Sequence, residues 1–176
     1  MQDEEFWRQL EWLSLQYISD EIKIEFEKPE LTRKRKDGGF DGQIVINITT
    51  NNNIRHTILF ESKFRTAIKS LPLDDCSKAL IIAFNRAAQT LYIVTNILFS
   101  PQAQNEIENF KKKVNLTVIS VDGNLLKKYI AENRETLLEN CSEEFLRYIE
   151  SSSDIDLNLK INDLSEKQKK KALKGK

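Results

Sequence analysis

The stretch GGFDGQIVINITTNNNIRHTILFESKFR, Gly38 to Arg65, contains two runs rich in β-branched residues with three asparagines between them. This pattern predicts an antiparallel hairpin that turns near Asn52, because asparagine tolerates the left-handed backbone of tight turns. Successive side chains of a strand point to opposite faces, so the large apolar residues of both runs share one face. These residues are Ile44, Ile46, Ile48, Ile58, Phe60 and Phe64. We expect this face to pack into the core.

The opposite face of the hairpin carries polar and charged residues, namely Asp41, Gln43, Glu61 and Lys63. A turn centred on Asn52 places Asp41 across from Lys63 and Gln43 across from Glu61. Asp41 and Glu61 are then diagonal neighbours, about 7 to 8 Å apart at the backbone. Two carboxylates at this spacing can bind one hard cation such as Mg²⁺, for which Mn²⁺ can substitute. The backbone carbonyl of Ser62 is a candidate third ligand.

This set of groups fits metal-assisted hydrolysis of a phosphodiester. Lys63 is expected to orient the attacking water and to offset the charge that develops on phosphorus. Gln43 is the candidate polar helper beside the metal. A surface cluster of ion pairs explains the same residues without any chemistry. A second Glu-x-Lys tripeptide, Glu21 to Lys23, shows that the tripeptide alone is a weak signal.

Patterns in the rest of the chain predict further helices and strands around the hairpin. An apolar stripe at helical spacing starts at Phe6, residues 21–27 alternate as a strand does, and Ser100-Pro101 is typical of a helix start. The predicted order is α-β-β-β-α-β-α-β-α. This order indicates an α/β fold in which helices cover both faces of a central mixed sheet.

Composition excludes several classes of protein. The 176 residues include 27 basic and 27 acidic residues, so no overall basic field favours nucleic acid. No run of eighteen apolar residues occurs and the N-terminus is acidic, so we expect a cytoplasmic protein with no membrane segment. Cys76, Cys141 and His56 are too few for a disulfide scaffold or a zinc site. We expect both cysteines in the interior and His56 at the surface.

Four segments carry a family resemblance: DGGFDGQIVI, a strand ending LFESKFR, LYIVTNILFSPQAQNEIENF and NLTVISVDGNLLKKYI. Together they resemble the Mrr-like restriction endonucleases of the PD-(D/E)xK nuclease superfamily. The resemblance implies a restriction-endonuclease-like, three-layer α/β/α fold with a central mixed sheet, a divalent metal and DNA as substrate. It matches Asp41 and Glu61 to metal ligands and Lys63 to the catalytic lysine. Glu5 matches a carboxylate that assists from the first helix in some relatives.

The chain departs from the family pattern at two positions. Phe40 replaces the proline of the superfamily's name, and Glu61 stands where many Mrr-like members have glutamine. Neither departure removes a ligand. Mrr-like enzymes usually read DNA through a separate domain, so we expect a further domain or partner to supply target recognition.

We assign residues 1–135 to the nuclease domain, 136–160 to a helical or strand extension, and 161–176 to a basic tail or linker. The basic residues before Asp41, and Arg65 after Lys63, are candidate contacts to DNA phosphates. The former are Arg33, Lys34, Arg35 and Lys36. Ordinary solvation explains this basic loop equally well. Cleavage of both DNA strands by one site per chain favours a homodimer.

The leading hypothesis is a Mg²⁺-dependent endonuclease for double-stranded DNA, acting as the effector domain of a prokaryotic restriction or anti-phage defence protein. One alternative is a catalytically silent nucleic-acid-binding or assembly module that has the same fold. Another is a nuclease for RNA or branched DNA. The intact set of Asp41, Glu61 and Lys63 favours an enzyme over a silent module.

Overall fold

The computed structural model of the protein describes residues 2–23, 42–48, 54–66 and 68–152, with residues 2–3, 42–48 and 54–55 described by their backbone alone. The described helices are α1 (Gln2–Ile22), α2 (Leu73–Asn85), α3 (Pro101–Lys113), α4 (Gly123–Leu137) and α5 (Glu143–Ser152). The described strands are β1 (Gly42–Ile48), β2 (Ile54–Lys63), β3 (Ser70–Leu71), β4 (Thr90–Thr95), β5 (Leu98–Phe99) and β6 (Thr117–Val121).

The larger sheet has the strand order β1-β2-β4-β6. β1 pairs antiparallel with β2, whereas β2, β4 and β6 run parallel to one another. Every residue of β4 is buried, as expected for a central parallel strand with both faces covered. The predicted mixed sheet is therefore confirmed. β3 and β5 form a separate parallel pair that is too short to leave a sequence pattern.

Helices cover the sheet on both faces. Apolar residues of α1, α4 and α5 pack with Ile58, Phe60, Tyr92 and Val94 in one core cluster. Apolar residues of α2 and α3 pack with Leu59, Leu91, Ile93 and Val118 in a second cluster. The two clusters use alternate residues of the same strands, which follows from the two-residue period of a strand. The predicted three-layer α/β/α arrangement is confirmed.

The hairpin of β1 and β2 forms as predicted, but its register differs. Gln43 pairs with Leu59 and Gly42 with Phe60, so Gln43 does not face Glu61. The register that a turn centred on Asn52 would give is therefore two residues off, whereas the predicted hairpin itself is confirmed. Moving one strand by two residues keeps every side chain on its face, so the apolar pattern cannot choose between these registers. The shared core face of Ile58, Phe60 and Phe64 is as predicted.

Two other local predictions need correction. α1 continues through Ile22, so the strand expected from Glu21 does not begin there, and residues 24–27 lie outside the described residues. The helix is longer because Ile18 and Ile22 extend its apolar stripe into the core. His56 is half-buried rather than at the surface, and its Nε2 lies 3.0 Å from the hydroxyl of Thr90.

Side-chain caps fix the starts of α3 and α4, and the first of these starts is the one that the sequence predicts. The hydroxyl of Ser100 accepts a hydrogen bond from the backbone N–H of Ala103 at 3.1 Å, with Pro101 at the first helical position. The carboxylate of Asp122 accepts from the N–H groups of Asn124 and Leu125, at 3.0 Å each. Over the described residues, no helix combines the length and hydropathy needed to cross a membrane.

An aromatic cluster joins α1, the end of β2 and α5. The ring centroid of Phe6 lies 6.0 Å from Phe64, 5.5 Å from Phe145 and 5.4 Å from Tyr148. Phe6 is only 5% exposed. Edge contacts between rings add to the stabilisation that burial provides. α5, which falls within the predicted extension 136–160, therefore shares a core with α1.

Phe6→Ala should lower the free energy of unfolding by about 3 to 5 kcal/mol, because it leaves a cavity among three rings. Urea denaturation followed by circular dichroism measures this change. Phe84→Ala is the matched control, because Phe84 is 55% exposed and should cost under about 1.5 kcal/mol. Equal losses in the two variants would contradict the packing described for Phe6.

Candidate active site

Glu61 and Lys63 are close together at the carboxyl end of β2. Both side chains lie on the same face because they are two residues apart on one strand. The ammonium of Lys63 donates to Oε1 of Glu61 and forms an ion pair with it. The Glu61 side chain is 11% exposed, whereas the Lys63 side chain is 22% exposed. The structure thus places two predicted site residues together, with the lysine nearer to solvent.

The neighbouring strand ends at the same place. Lys63 pairs with Thr95, the last residue of β4, and Glu61 pairs with Ile93. Because β2 and β4 are parallel, their carboxyl ends meet at one edge of the sheet, where binding sites of open α/β sheets lie. The β2–β4 pair therefore presents the Glu61–Lys63 pair at a position typical of an active site.

The start of α2 brings an acidic side chain to this edge. Asp75 accepts a hydrogen bond from Nη2 of Arg65 at 2.6 Å, and Nη1 of Arg65 donates to the carbonyl of Phe64 at 2.9 Å. The guanidinium is therefore held by groups of the protein, and its charge is offset by Asp75. No local sequence pattern marks this contact, because ten residues separate Arg65 from Asp75.

The backbone of Ser62 is oriented by its neighbours. The Ser62 side chain is buried on the α1 side, where its hydroxyl donates to the hydroxyl of Ser14 at 2.9 Å. The carbonyl of Lys63 points toward β4, because it accepts from the hydroxyl of Thr95 at 2.8 Å. Successive carbonyls of a strand point to opposite sides within the sheet. The Ser62 carbonyl is therefore directed toward the side of β2 on which β1 lies.

The other predicted site residues are not all described. Asp41 and the basic loop 33–36 lie outside the described residues, and only the backbone of Gln43 is described. Glu5 is exposed near the start of α1, where it accepts from the amide of Gln9 at 3.4 Å. Within the described part of the chain, no three His, Cys, Asp or Glu side chains form a group that could bind a metal ion.

Both cysteines are free and buried, as predicted. Burial and, to a smaller extent, the charge of Asp75 raise the pKa of the Cys76 thiol to about 11, and the charge of Lys63 opposes this shift. Burial also raises the pKa of Cys141 to about 11. Cys76 is thus a buried residue near the start of α2, and it is close enough to Lys63 for the lysine charge to affect its pKa.

The fold is similar to that of two restriction endonucleases of known structure. Neither a family model nor a curated protein matches this sequence. The structure "MspJI Restriction Endonuclease in Complex with 27-mer Oligonucleotide" matches with a TM-score of 0.56 and 21% identity, over 83% of this chain and 32% of that chain. The DNA modification-dependent restriction endonuclease AspBHI matches with a TM-score of 0.51 and 16% identity, over 85% of this chain and 40% of that chain.

The chain spans less than half of either endonuclease, since the matched shares of those chains are 32% and 40%. At these identities the likeness establishes the fold. The protein therefore has a restriction-endonuclease-like fold, as its sequence predicts.

Cys76 and Cys141 should react slowly with a thiol reagent in the folded protein at mildly alkaline pH. A pKa of about 11 in place of 9.0 lowers the thiolate fraction about 100-fold, and burial slows the reaction further. Because the folded pKa is the higher one, the protonated thiols stabilise the fold below pH 9, and this contribution is lost as the pH rises toward 11.

Absorbance of the released chromophore measures this reaction in native buffer and in concentrated guanidinium chloride. The Ser151→Cys variant is the control, because position 151 is exposed at the end of α5 and its thiol should react at once. A native thiol that reacts as fast as the thiol at position 151 would contradict the burial described here.

Proposed function

We propose that this chain is a metal-dependent endonuclease that hydrolyses phosphodiester bonds of double-stranded DNA. The observation that carries the proposal is the Glu61–Lys63 pair at the carboxyl end of β2. The likeness to two restriction endonucleases supports it, since the structure of one of them is a complex with a 27-mer oligonucleotide and the other is a DNA modification-dependent enzyme. We further propose membership of the Mrr-like, PD-(D/E)xK group, as effector domain of a prokaryotic restriction or anti-phage defence protein.

Three groups of the chain are proposed to hold Mg²⁺, or Mn²⁺ in its place: the carboxylates of Asp41 and Glu61, and the carbonyl of Ser62. Oxygen ligands of this kind suit Mg²⁺. Asp41 directly precedes β1 in the sequence, and β1 lies beside β2 with Gly42 paired to Phe60, the neighbour of Glu61. The Ser62 carbonyl is directed toward the same side. The bound metal would act as a Lewis acid on the scissile phosphate.

Lys63 is proposed to act on the substrate directly. Its ammonium carries three donors on a flexible stem and is the more exposed member of the pair. Its charge offsets the negative charge that develops on phosphorus, and its donors orient the attacking water. Glu61 holds the ammonium at the edge of the sheet before substrate binds.

The DNA backbone is proposed to contact the basic loop of residues 33–36, which precedes Asp41 in the sequence. Arg65 is a weaker candidate for such a contact, because Asp75 already binds its guanidinium. Gln43 and Glu5 remain candidates for assisting groups. A further domain or partner is proposed to recognise the target, and a homodimer to cleave both strands.

Glu61→Gln and Lys63→Gln should each lower the rate of metal-dependent plasmid cleavage at least about 100-fold, because the first weakens a proposed metal ligand and the second removes the cation that offsets charge on phosphorus. The chain contains its own matched controls. Glu21 and Lys23 form the second Glu-x-Lys tripeptide, and both are exposed at the end of α1. Glu21→Gln and Lys23→Gln should keep the wild-type rate.

Plasmid nicking and linearisation at low salt, with and without Mg²⁺ or Mn²⁺, measure these rates. Asp41→Asn tests the other proposed carboxylate ligand in the same assay, with metal binding followed by calorimetry. A wild-type protein that neither cleaves DNA nor binds metal would support a silent assembly module instead. Cleavage of RNA or branched DNA in preference to duplex DNA would change the substrate and keep the mechanism.

A further inference from the structure

Side chains continue the pairing of β2 and β4 beyond the end of the strands. The last paired residues are Lys63 and Thr95. The hydroxyl of Thr95 donates to the carbonyl of Lys63 at 2.8 Å. The amide of Asn96 then binds Arg65 twice, since Oδ1 accepts from the Arg65 N–H and Nδ2 donates to the Arg65 carbonyl, each at 2.8 Å. These three hydrogen bonds, here called the Thr95–Asn96 clamp, fix the backbone on both sides of residue 64.

Asn96 is itself held in place by two helices. It is fully buried, and its carbonyl accepts from the hydroxyl of Ser152, the last residue of α5, at 3.2 Å. The first residue of α4, Gly123, approaches so closely that a Cβ there would lie 2.5 Å from the same carbonyl. The N–H of Gly123 donates to the carbonyl of Ile97 at 3.1 Å. Only glycine fits at this contact, which locks Asn96 against the start of α4.

We propose that Asn96, together with Thr95, is a positioning residue for Lys63. The clamp holds the backbone from which the lysine side chain extends, so that the ammonium reaches the same point beside Glu61 in every molecule. This inference rests on the proposed nuclease function. A displacement of about 1 Å at a reacting group can lower a rate about 100-fold, so a flexible end of β2 would be costly for catalysis.

The shape of the clamp explains why asparagine serves at position 96. A planar amide offers one acceptor and one donor, which match the N–H and C=O of one peptide residue. Alanine at position 96 would leave both Arg65 groups without this partner at the end of the strand. The strand end would then fray and Lys63 would sample more positions, while the metal-binding groups of the site are left in place.

A general role in folding is the competing explanation, and the other end of the same strand pair provides a matched control. There Oε1 of Gln89 accepts from the N–H of Thr57 at 2.7 Å, and the N–H of Gln89 donates to the carbonyl of Thr57 at 3.0 Å. This contact also extends the β2–β4 pairing, but it lies six residues along β2 from Lys63. Gln89→Ala removes the side-chain hydrogen bond and keeps the backbone one, and it should therefore leave catalysis unchanged.

The test compares Asn96→Ala, Thr95→Val, Thr95→Ser and Gln89→Ala with the wild type. Single-turnover cleavage at saturating duplex DNA and metal gives the rate of the chemical step, and fluorescence anisotropy gives the Kd for DNA. Asn96→Ala should lower the rate about 10- to 100-fold and leave Kd within about threefold. Thr95→Val, which keeps the volume and removes the hydroxyl, should lower the rate more than Thr95→Ser does. Gln89→Ala should cleave at the wild-type rate.

Hydrogen exchange of the Arg65 amide, followed by NMR, provides a readout that does not depend on activity. Exchange should be faster in Asn96→Ala and unchanged in Gln89→Ala. If the wild type cleaves DNA and Asn96→Ala cleaves it at the same rate, the positioning role is overturned. An equal loss of rate in Gln89→Ala would also overturn it, since any weakening of the strand pair would then suffice.

A wild-type protein that does not cleave DNA would contradict the proposed function instead of the clamp. Arg65 exchange then tests the clamp by itself, and equal exchange in wild type and Asn96→Ala overturns it. If Asn96→Ala does not fold, the comparison of Thr95→Val with Thr95→Ser decides between the two explanations, because Thr95→Val keeps the volume without the hydroxyl and Thr95→Ser keeps the hydroxyl with a smaller volume.

Discussion

Helices cover both faces of the β2–β4 pair, and this constraint decides where charged side chains can lie. β4 is buried along its whole length, and the odd and even residues of β2 enter different cores. A charge in the middle of either strand would be removed from water without compensation. The carboxyl ends of these strands are the nearest places where a charged group can still reach solvent. Glu61 and Lys63 lie at this boundary, with the lysine as the more exposed of the two.

The same constraint makes a purely structural role a poor explanation of the pair. Removing two charges from water costs free energy, and the attraction between the charges often does no more than balance this cost. A buried ion pair is therefore weak evidence for stability. Apolar residues at positions 61 and 63 would extend the α2–α3 core at no such cost. Arg65 and Asp75 differ, because their more exposed ion pair also anchors the segment after β2 to the start of α2. The charges of Glu61 and Lys63 therefore fit the proposed binding and chemistry better than a role in stability alone.

The sequence predicts those features that depend on local periodicity and fails where distant residues decide. The prediction of which β2 residues share a face follows from the two-residue period of a strand and is confirmed. The hairpin register does not follow from that period, because a shift of two residues keeps every side chain on the same face. The sequence pattern also gives the wrong end for α1, because Ile22 fits both an alternating strand and the apolar stripe of the continuing helix. The contacts of Arg65 with Asp75 and Asn96 join residues 10 and 31 positions apart, and no local sequence pattern predicts them.

A fold shared with restriction endonucleases does not by itself give this chain their chemistry, because one fold serves many functions. An active site differs from a retained scaffold because its buried polar groups hold the reactive side chains in defined positions. Gln89 and Asn96 extend the same strand pair at its two ends, yet Gln89 is exposed and Asn96 is fully buried beneath α4 and α5. Burying a polar side chain is tolerated only when its hydrogen bonds are made, so the Asn96 amide fixes one backbone geometry and excludes others. That geometry is fixed two residues from Lys63, at the edge where the proposed reaction takes place.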